Sequence, residues 1–298
     1  MKFNSETQNL LVQHGKLEDE KSRKFIRKSL GLGSKKVEAT KHAILSGPPG
    51  VGKTYGTADE CNKNNINSIL IAPGSSDIEL AVRIAYGVYN LKKNQELVVI
   101  LDDADDVVFG SYETLNKWKI ACGDIDYDAG IIPSFNHMVS MNNTLAALKK
   151  QKGKEKLIEA IESFISADSV GMTIPTDKVR FIILCNLDLE NTKNFRGKLK
   201  SAVGPVLDRF EYKRIDMSWD NQWGWLAYTL SNSQPFKEEP LTVAQKKELL
   251  GWMYSNWRNL RSTSYRTVRK LAADMINNPD NYLDEWSEQL GVNKDEKK

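Results

Sequence analysis

The sequence is short of the residues that build disulfide frameworks, zinc sites and membrane spans. Its three cysteines, Cys61, Cys122 and Cys185, lie about sixty residues apart, and no CxxC pair occurs. Only His14, His42 and His137 stand by as soft partners, so free thiols and no structural zinc are expected. With 9 prolines and 19 glycines the chain is neither collagenous nor of low complexity. No apolar run approaches bilayer length, and the start Met1-Lys2-Phe3-Asn4-Ser5-Glu6 lacks the basic-then-apolar order of a signal peptide. A cytoplasmic protein with no membrane partner is the expectation. Charge of one sign is lacking too: 42 basic against 39 acidic residues leave +3, so any nucleic-acid surface must be local.

What is present is a globular inventory, 40% hydrophobic and 27% charged, in 298 residues that suit one large domain or two ordinary ones. Residues 1–30 space Leu10, Leu11, Val12, Phe25, Ile26 and Leu30 as in one or two amphipathic helices, closed by Gly31-Leu32-Gly33-Ser34. Apolar runs of strand length follow at Ala43-Ile44-Leu45, Ser68 to Ala72, Leu97 to Leu101 and Phe181 to Leu184, with a weaker one from Tyr212 to Met217. Lacking polar alternation, they predict strands buried on both faces in a parallel sheet covered by helices.

Residues 106–179 are too many for an ordinary connection and predict an insertion with elements of its own. Inside it Lys149, Lys150, Lys152, Lys154 and Lys156 form a basic cluster running into the helical-looking Leu157 to Ile161. A solvated helix face is the plainest reading of such a cluster. Beyond Met217, helices are expected near 219–231, 242–258, 264–277 and 280–290, and six of the seven tryptophans fall there, which points to a small helical domain. The tail 294–298 should fray.

Gly47-Pro48-Pro49-Gly50-Val51-Gly52-Lys53-Thr54 satisfies G-x-x-x-x-G-K-[ST] directly after an apolar strand and before an expected helix. In such a loop the glycines let backbone N–H groups wrap phosphates at a helix terminus, the lysine reaches the β and γ phosphates, and the threonine hydroxyl ligates magnesium. The nucleotide-binding set is therefore Pro48, Pro49, Gly50, Val51, Gly52, Lys53 and Thr54, with ATP or ADP and Mg²⁺ as cofactors. The third strand ends in Leu101-Asp102-Asp103-Ala104-Asp105-Asp106, carboxylates at the carboxyl edge of a parallel sheet, where ligands of open α/β folds bind. Asp102 is the expected metal holder beside Thr54. Asp103 is expected to orient the attacking water, while Asp105 and Asp106 suit a helix start.

In this order the motifs resemble those of the AAA+ ATPase superfamily, over about residues 36–290. The resemblance implies a three-layer P-loop NTPase sandwich around a five-stranded parallel sheet, followed by a small C-terminal helical lid. Domains are expected at 1–35 (helical lead-in), 36–218 (nucleotide-binding, with the insertion) and 219–298 (lid). It also implies that Asn186, ending Phe181-Ile182-Ile183-Leu184-Cys185-Asn186, acts as sensor 1 and helps place the lytic water. Val206-Leu207-Asp208-Arg209-Phe210 resembles the Leu-Asp-Arg-Phe stretch of MoxR-type proteins, in which the arginine crosses to a neighbour's nucleotide. Arg209 is then the candidate finger, with Arg196 and Arg214 as rivals. Ser264-Tyr265-Arg266-Thr267-Val268-Arg269 resembles a sensor 2 helix start, with Arg266 facing the phosphates and Arg269 as the alternative.

Two departures from the family pattern stand out. Asp103 occupies the usual glutamate position with one methylene less reach. Pro73-Gly74-Ser75-Ser76-Asp77, at the usual pore-loop position, lacks the aromatic that grips polypeptide. The resemblance implies a homo-oligomeric ring or arc, with a hexamer expected, that hydrolyses ATP to remodel or load a DNA-associated or replication-protein partner. A MoxR-like protein-remodelling chaperone and a nucleotide-switched adaptor with little turnover are the alternatives. Asp124-Ile125-Asp126-Tyr127-Asp128-Ala129-Gly130 imitates a calcium loop, but Ala129 stands at its sixth position and Phe135 at its twelfth, which excludes it. His137, beside Met138, reads as a packing or surface residue.

Overall fold

The structure, a computed structural model, describes residues 1–32, 40–126, 128–165 and 171–290. Gly33, Ser34, Tyr127 and the tail from 291 lie outside the described residues. The chain forms two compact units, one of residues 25–47 and 54–214, the other of residues 1–24, 48–53 and 215–298. A single helix, α1 (Glu6–Ser29), covers the lead-in and contributes to both.

The first unit is α/β. Its elements after α1 are β1 (His42–Ser46), α2 (Lys53–Lys63), β2 (Ser68–Ile71), α3 (Asp77–Tyr89), β3 (Leu97–Leu101), α4 (Asp105–Phe109) and α5 (Tyr112–Ala121). There follow β4 (Ser134–His137), α6 (Asn142–Leu148), α7 (Glu155–Glu162), β5 (Met172–Pro175), β6 (Val179–Cys185), α8 (Gly197–Leu207) and β7 (Phe210–Arg214). Five strands pair in parallel in the order β2-β3-β6-β1-β7. Every residue of β1, β3 and β6 is buried, as unbroken apolar runs require of central strands.

The edges differ. β2 and β7 are only partly covered, and β7 ends at Arg214, where it pairs with Ser46, so the run from Tyr212 to Met217 is misplaced. An edge strand tolerates Glu211 and Lys213, and the apolar signal therefore slid past its true end. Trp118 on α5 fixes the core beneath the sheet: its ring lies 5.4 Å from Phe135 and 5.2 Å from Phe181, and its Nε1 donates to Val107 O at 3.1 Å. Buried Arg180 on β6 donates to Lys41 O at 3.0 Å and to Glu96 at 3.2 Å, which satisfies a charge inside the sheet.

Residues 106–179 do hold elements of their own. β4 and β5 pair antiparallel as a separate sheet, with Phe135 opposite Ile174, and α6 and α7 lie between them in sequence. The lysine cluster is not a helix face. α6 ends at Leu148, α7 begins at Glu155, and Lys149, Lys150, Lys152 and Lys154 occupy the turn between them, where Gly153 has φ 78°. Apolar periodicity is too weak over so few residues to mark that break.

The second unit is helical, with α9 (Trp219–Asn232), α10 (Val243–Asn256), α11 (Tyr265–Asn277) and α12 (Tyr282–Glu288). Side chains of Ser218, Thr242 and Ser264 cap the first three by accepting from backbone N–H groups of the first turn. Trp223 and Trp286 are fully buried in its core, and Phe3 packs 5.3 Å from Trp223. α1 meets α9 at two glycines. A Cβ on Gly224 would stand 2.0 Å from Leu11 O and one on Gly15 2.3 Å from Gly224, so glycine is required where the backbones touch. Among the described residues no helix is long and apolar enough to cross a membrane.

Candidate functional site

The phosphate-loop sequence leaves β1 at Gly47 and enters α2 at Lys53. Gly50 and Gly52 take φ of 82° and 80°, which side-chain-bearing residues rarely adopt. Space forbids a side chain as well: a Cβ on Gly50 would stand 2.3 Å from Ser264 Cβ, and one on Gly52 2.6 Å from the Trp225 ring. Val51 is buried, whereas Pro49 is exposed. Lys53 is only 8% exposed, and its Nζ donates to Pro48 O at 3.0 Å, across its own loop. That ammonium sits at the positive end of a helix, an arrangement suited to anions.

In the α/β unit, Thr54 and Asp102 meet. Thr54 Oγ1 donates to Asp102 Oδ1 at 2.6 Å, joining the start of α2 to the residue that follows β3. The backbone then turns sharply: Asp102 N donates to Ile71 O at 3.1 Å, Asp103 adopts φ 48°, and Ala104 N donates to Leu184 O at 3.0 Å. A left-handed aspartate held between two cross-strand hydrogen bonds is a strained position fixed by its surroundings.

Asn186, just past β6, comes to this turn. Its Nδ2 donates to Asp103 Oδ1 at 2.6 Å and to Asp105 Oδ2 at 3.2 Å. Asp105, in the first turn of α4 as a helix-start acid should be, does more than suit the helix dipole. Its carboxylate accepts from Asn186 N and Leu187 N, each at 3.0 Å, and so ties the loop after β6 to α4. Sequence reasoning missed that role, and a second carboxylate two residues past Asp103 was its only trace. Ser46 and Tyr212 went unnoticed too: the Ser46 hydroxyl donates to Leu187 O, and Leu189 N donates to Tyr212 Oη at 3.3 Å. Burial pushes the Tyr212 phenol above its ordinary pKa, so it stays protonated.

The arginines part company. Arg209 immediately precedes Phe210, which pairs with His42 at the amino edge of the sheet, and Arg214 ends β7 at the carboxyl edge, 3.6 Å from Asp188. The two are separated by about 16 Å of strand. Arg209 bonds Pro205 O, its buried Nε has no hydrogen-bond partner among the described residues, and it lines a cavity of about 340 Å³ with Lys41, His42 and Cys122. Arg196 is exposed at the start of α8. In the helical unit, Arg266 is exposed in the first turn of α11, two residues after Ser264, whose Cβ faces Gly50. Arg269 lies 5.1 Å from the Phe236 ring, a cation–π contact that engages it inside that unit.

The loop 73–77 is anchored at its end. Ser76 caps α3, and Asp77 receives Lys117 Nζ and lies 2.6 Å from His137 Nδ1. Burial works against the Asp77 charge, but the hydrogen bonds from Lys117 and His137 outweigh it and hold its carboxyl below the usual range. Within the stretch that imitates a calcium loop, Asp126 Oδ1 accepts from Ala129 N at 3.0 Å.

No protein-family model matches the sequence, and no curated protein matches it. Among solved structures the chain is similar to domain III of the replication initiation protein DnaA from Thermotoga maritima. Identity is 9% over 91% of this chain and 87% of that one, at a TM-score of 0.43, a likeness too loose to carry a functional argument.

Proposed function

We propose that the chain is a magnesium-dependent ATPase of the AAA+ type that works as a ring or arc and remodels or loads a nucleic-acid-associated partner. The observation that carries this reading is the 2.6 Å hydrogen bond between Thr54 Oγ1 and Asp102 Oδ1, at the end of a complete phosphate-loop sequence. Two hard oxygen donors side by side fit Mg²⁺, which takes one or two protein oxygens beside phosphate and water. The ion would supply charge neutralisation between the β and γ phosphates.

The remaining steps belong to the chain. The N–H groups of residues 50–54 bind phosphate oxygens, and Lys53 exchanges the Pro48 carbonyl for phosphate. Asp103 orients the attacking water and accepts its hydrogen bond, while Asn186 restrains that carboxylate. Arg209 completes a neighbour's site. It lies at the sheet edge opposite Thr54 and Asp102, too far along the strand to serve them within one subunit. Arg266 follows the α11 cap that faces Gly50, a position suited to sensing phosphate.

Measuring nucleotide affinity and turnover in Lys53→Ala tests the assignment. Loss of both in a protein with an unchanged thermal melt is expected, and unchanged affinity and turnover would remove it.

A further inference from the structure

The turn between α6 and α7 carries charge that the fold does not use. Lys149 pairs with Glu162 at 2.8 Å. The other two acids of α7 are also engaged: Glu155 Oε1 accepts from Gly153 N at 3.2 Å, and Glu159 Oε2 accepts from the Tyr89 hydroxyl at 3.3 Å. Lys150, Lys152, Lys154 and Lys156 are exposed, and none has an ion-pair partner among the described residues. In a chain with a net charge of +3, this is a local excess, five lysines against Glu155, Glu159 and Glu162 over residues 149–162.

The neighbouring surface adds aromatic faces. α3 packs against α7, and the Tyr89–Glu159 bond fixes the end of α3 beside it. Tyr86, one turn before Tyr89, is 41% exposed and Tyr89 is 42% exposed. Lys92 and Lys93 follow in the exposed turn after α3. Lys156 and Glu159 share a face of α7, so the lysine turn continues toward the tyrosines.

We infer that the α6–α7 lysine turn and the Tyr86–Tyr89 face of α3 form a binding surface for single-stranded nucleic acid. Lysine ammonium groups meet phosphates as point charges, and exposed rings stack on bases whatever their identity. An anionic membrane fits less well, because Lys149-Lys150-Gln151-Lys152-Gly153-Lys154-Glu155-Lys156 has no apolar side chain to enter it. The inference deepens the proposed function by naming the polymer, and its readout needs no nucleotide turnover, so it can fail while the ATPase reading stands.

The test is fluorescence anisotropy of a labelled oligodeoxythymidine of about 20 nucleotides, with the full chain and without nucleotide. Four phosphate contacts predict an affinity that weakens about 50-fold between 50 and 200 mM salt. Joint Lys150→Gln, Lys152→Gln, Lys154→Gln and Lys156→Gln should abolish most binding and flatten the salt dependence without moving the thermal melt, since these side chains support nothing. The matching set of four Lys→Arg changes should retain binding. Tyr86→Ala should weaken the oligonucleotide at least about fivefold but leave a duplex of equal length unaffected. The inference is overturned if the oligonucleotide does not bind, if the fourfold Gln variant binds as the parent does, or if Tyr86→Ala has no effect. Polyglutamate competing equally well, or binding confined to phosphatidylserine vesicles, would overturn it too.

Discussion

Asn186 holds Asp103: the amide Nδ2 donates to Oδ1 at 2.6 Å, bridging the ends of β6 and β3 on an aspartate with φ 48°. This bond fixes where a short carboxylate points. Asn186→Ala should therefore keep nucleotide affinity and lose turnover by about 10²-fold, and Asp103→Asn should do the same. Steady-state rates beside equilibrium binding check both. If Asp105→Asn proves the only sensitive carboxylate change, the water-orienting role lies elsewhere.

The hydrogen-bonded pair Thr54 and Asp102 makes a separate prediction. Thr54→Val and Asp102→Ala should raise the magnesium concentration for half-maximal turnover by at least about tenfold. A magnesium titration at saturating ATP reads this directly, and an unchanged midpoint in both variants would assign the ion to other residues.

Arg209 tests assembly together with chemistry. Arg209→Ala should bind ATP yet lose turnover by about 10³-fold. Mixing it with Lys53→Ala, each inactive alone, should restore partial activity, because some interfaces then join an intact loop to an intact arginine. Native mass measurement shows whether mixed oligomers form. If they form and stay inactive, or if Arg209→Ala alone is fully active, Arg196 becomes the candidate.

A pH prediction comes from His42, buried at the start of β1, where its Nδ1 accepts from Phe181 N at 3.1 Å. Desolvation, then the nearby charges of Lys41 and Arg180, lower its pKa to about 3. The folded value lies below the unfolded one, so the neutral ring stabilises the fold above about pH 6.5 and that stability is lost as the pH falls toward 3. Between pH 7 and pH 5 the parent should lose about 2 kcal/mol more than His42→Gln, which keeps an acceptor but does not titrate. Urea melts at the two pH values supply the difference, and equal losses would show that His42 is not the linked group.

Much of this was legible along the chain. The unbroken apolar runs 43–45, 97–101 and 181–184 found the central strands, because a strand buried on both faces leaves no room for polar alternation. Loop glycines announced themselves by spacing, and the helices expected near 219–231, 242–258 and 264–277 match α9, α10 and α11 to within two residues at each end. Edge strand β7 was misread because half-exposed positions accept Glu211 and Lys213.

Tertiary structure decided what the candidate residues do to one another. Thr54 and Asp102 are 48 residues apart and Asn186 and Asp103 are 83 apart, and each pair meets only because the strand order is β2-β3-β6-β1-β7. Local periodicity reports which face of an element is buried, but it carries no information on which strand lies beside which. The same limit hid Asp105 behind an ordinary helix start and left unseen that Arg209 lies at the edge opposite Thr54. Composition and spacing supplied the chemical groups; strand pairing, a balance of contacts between distant segments, brought Thr54 to Asp102 and Asn186 to Asp103.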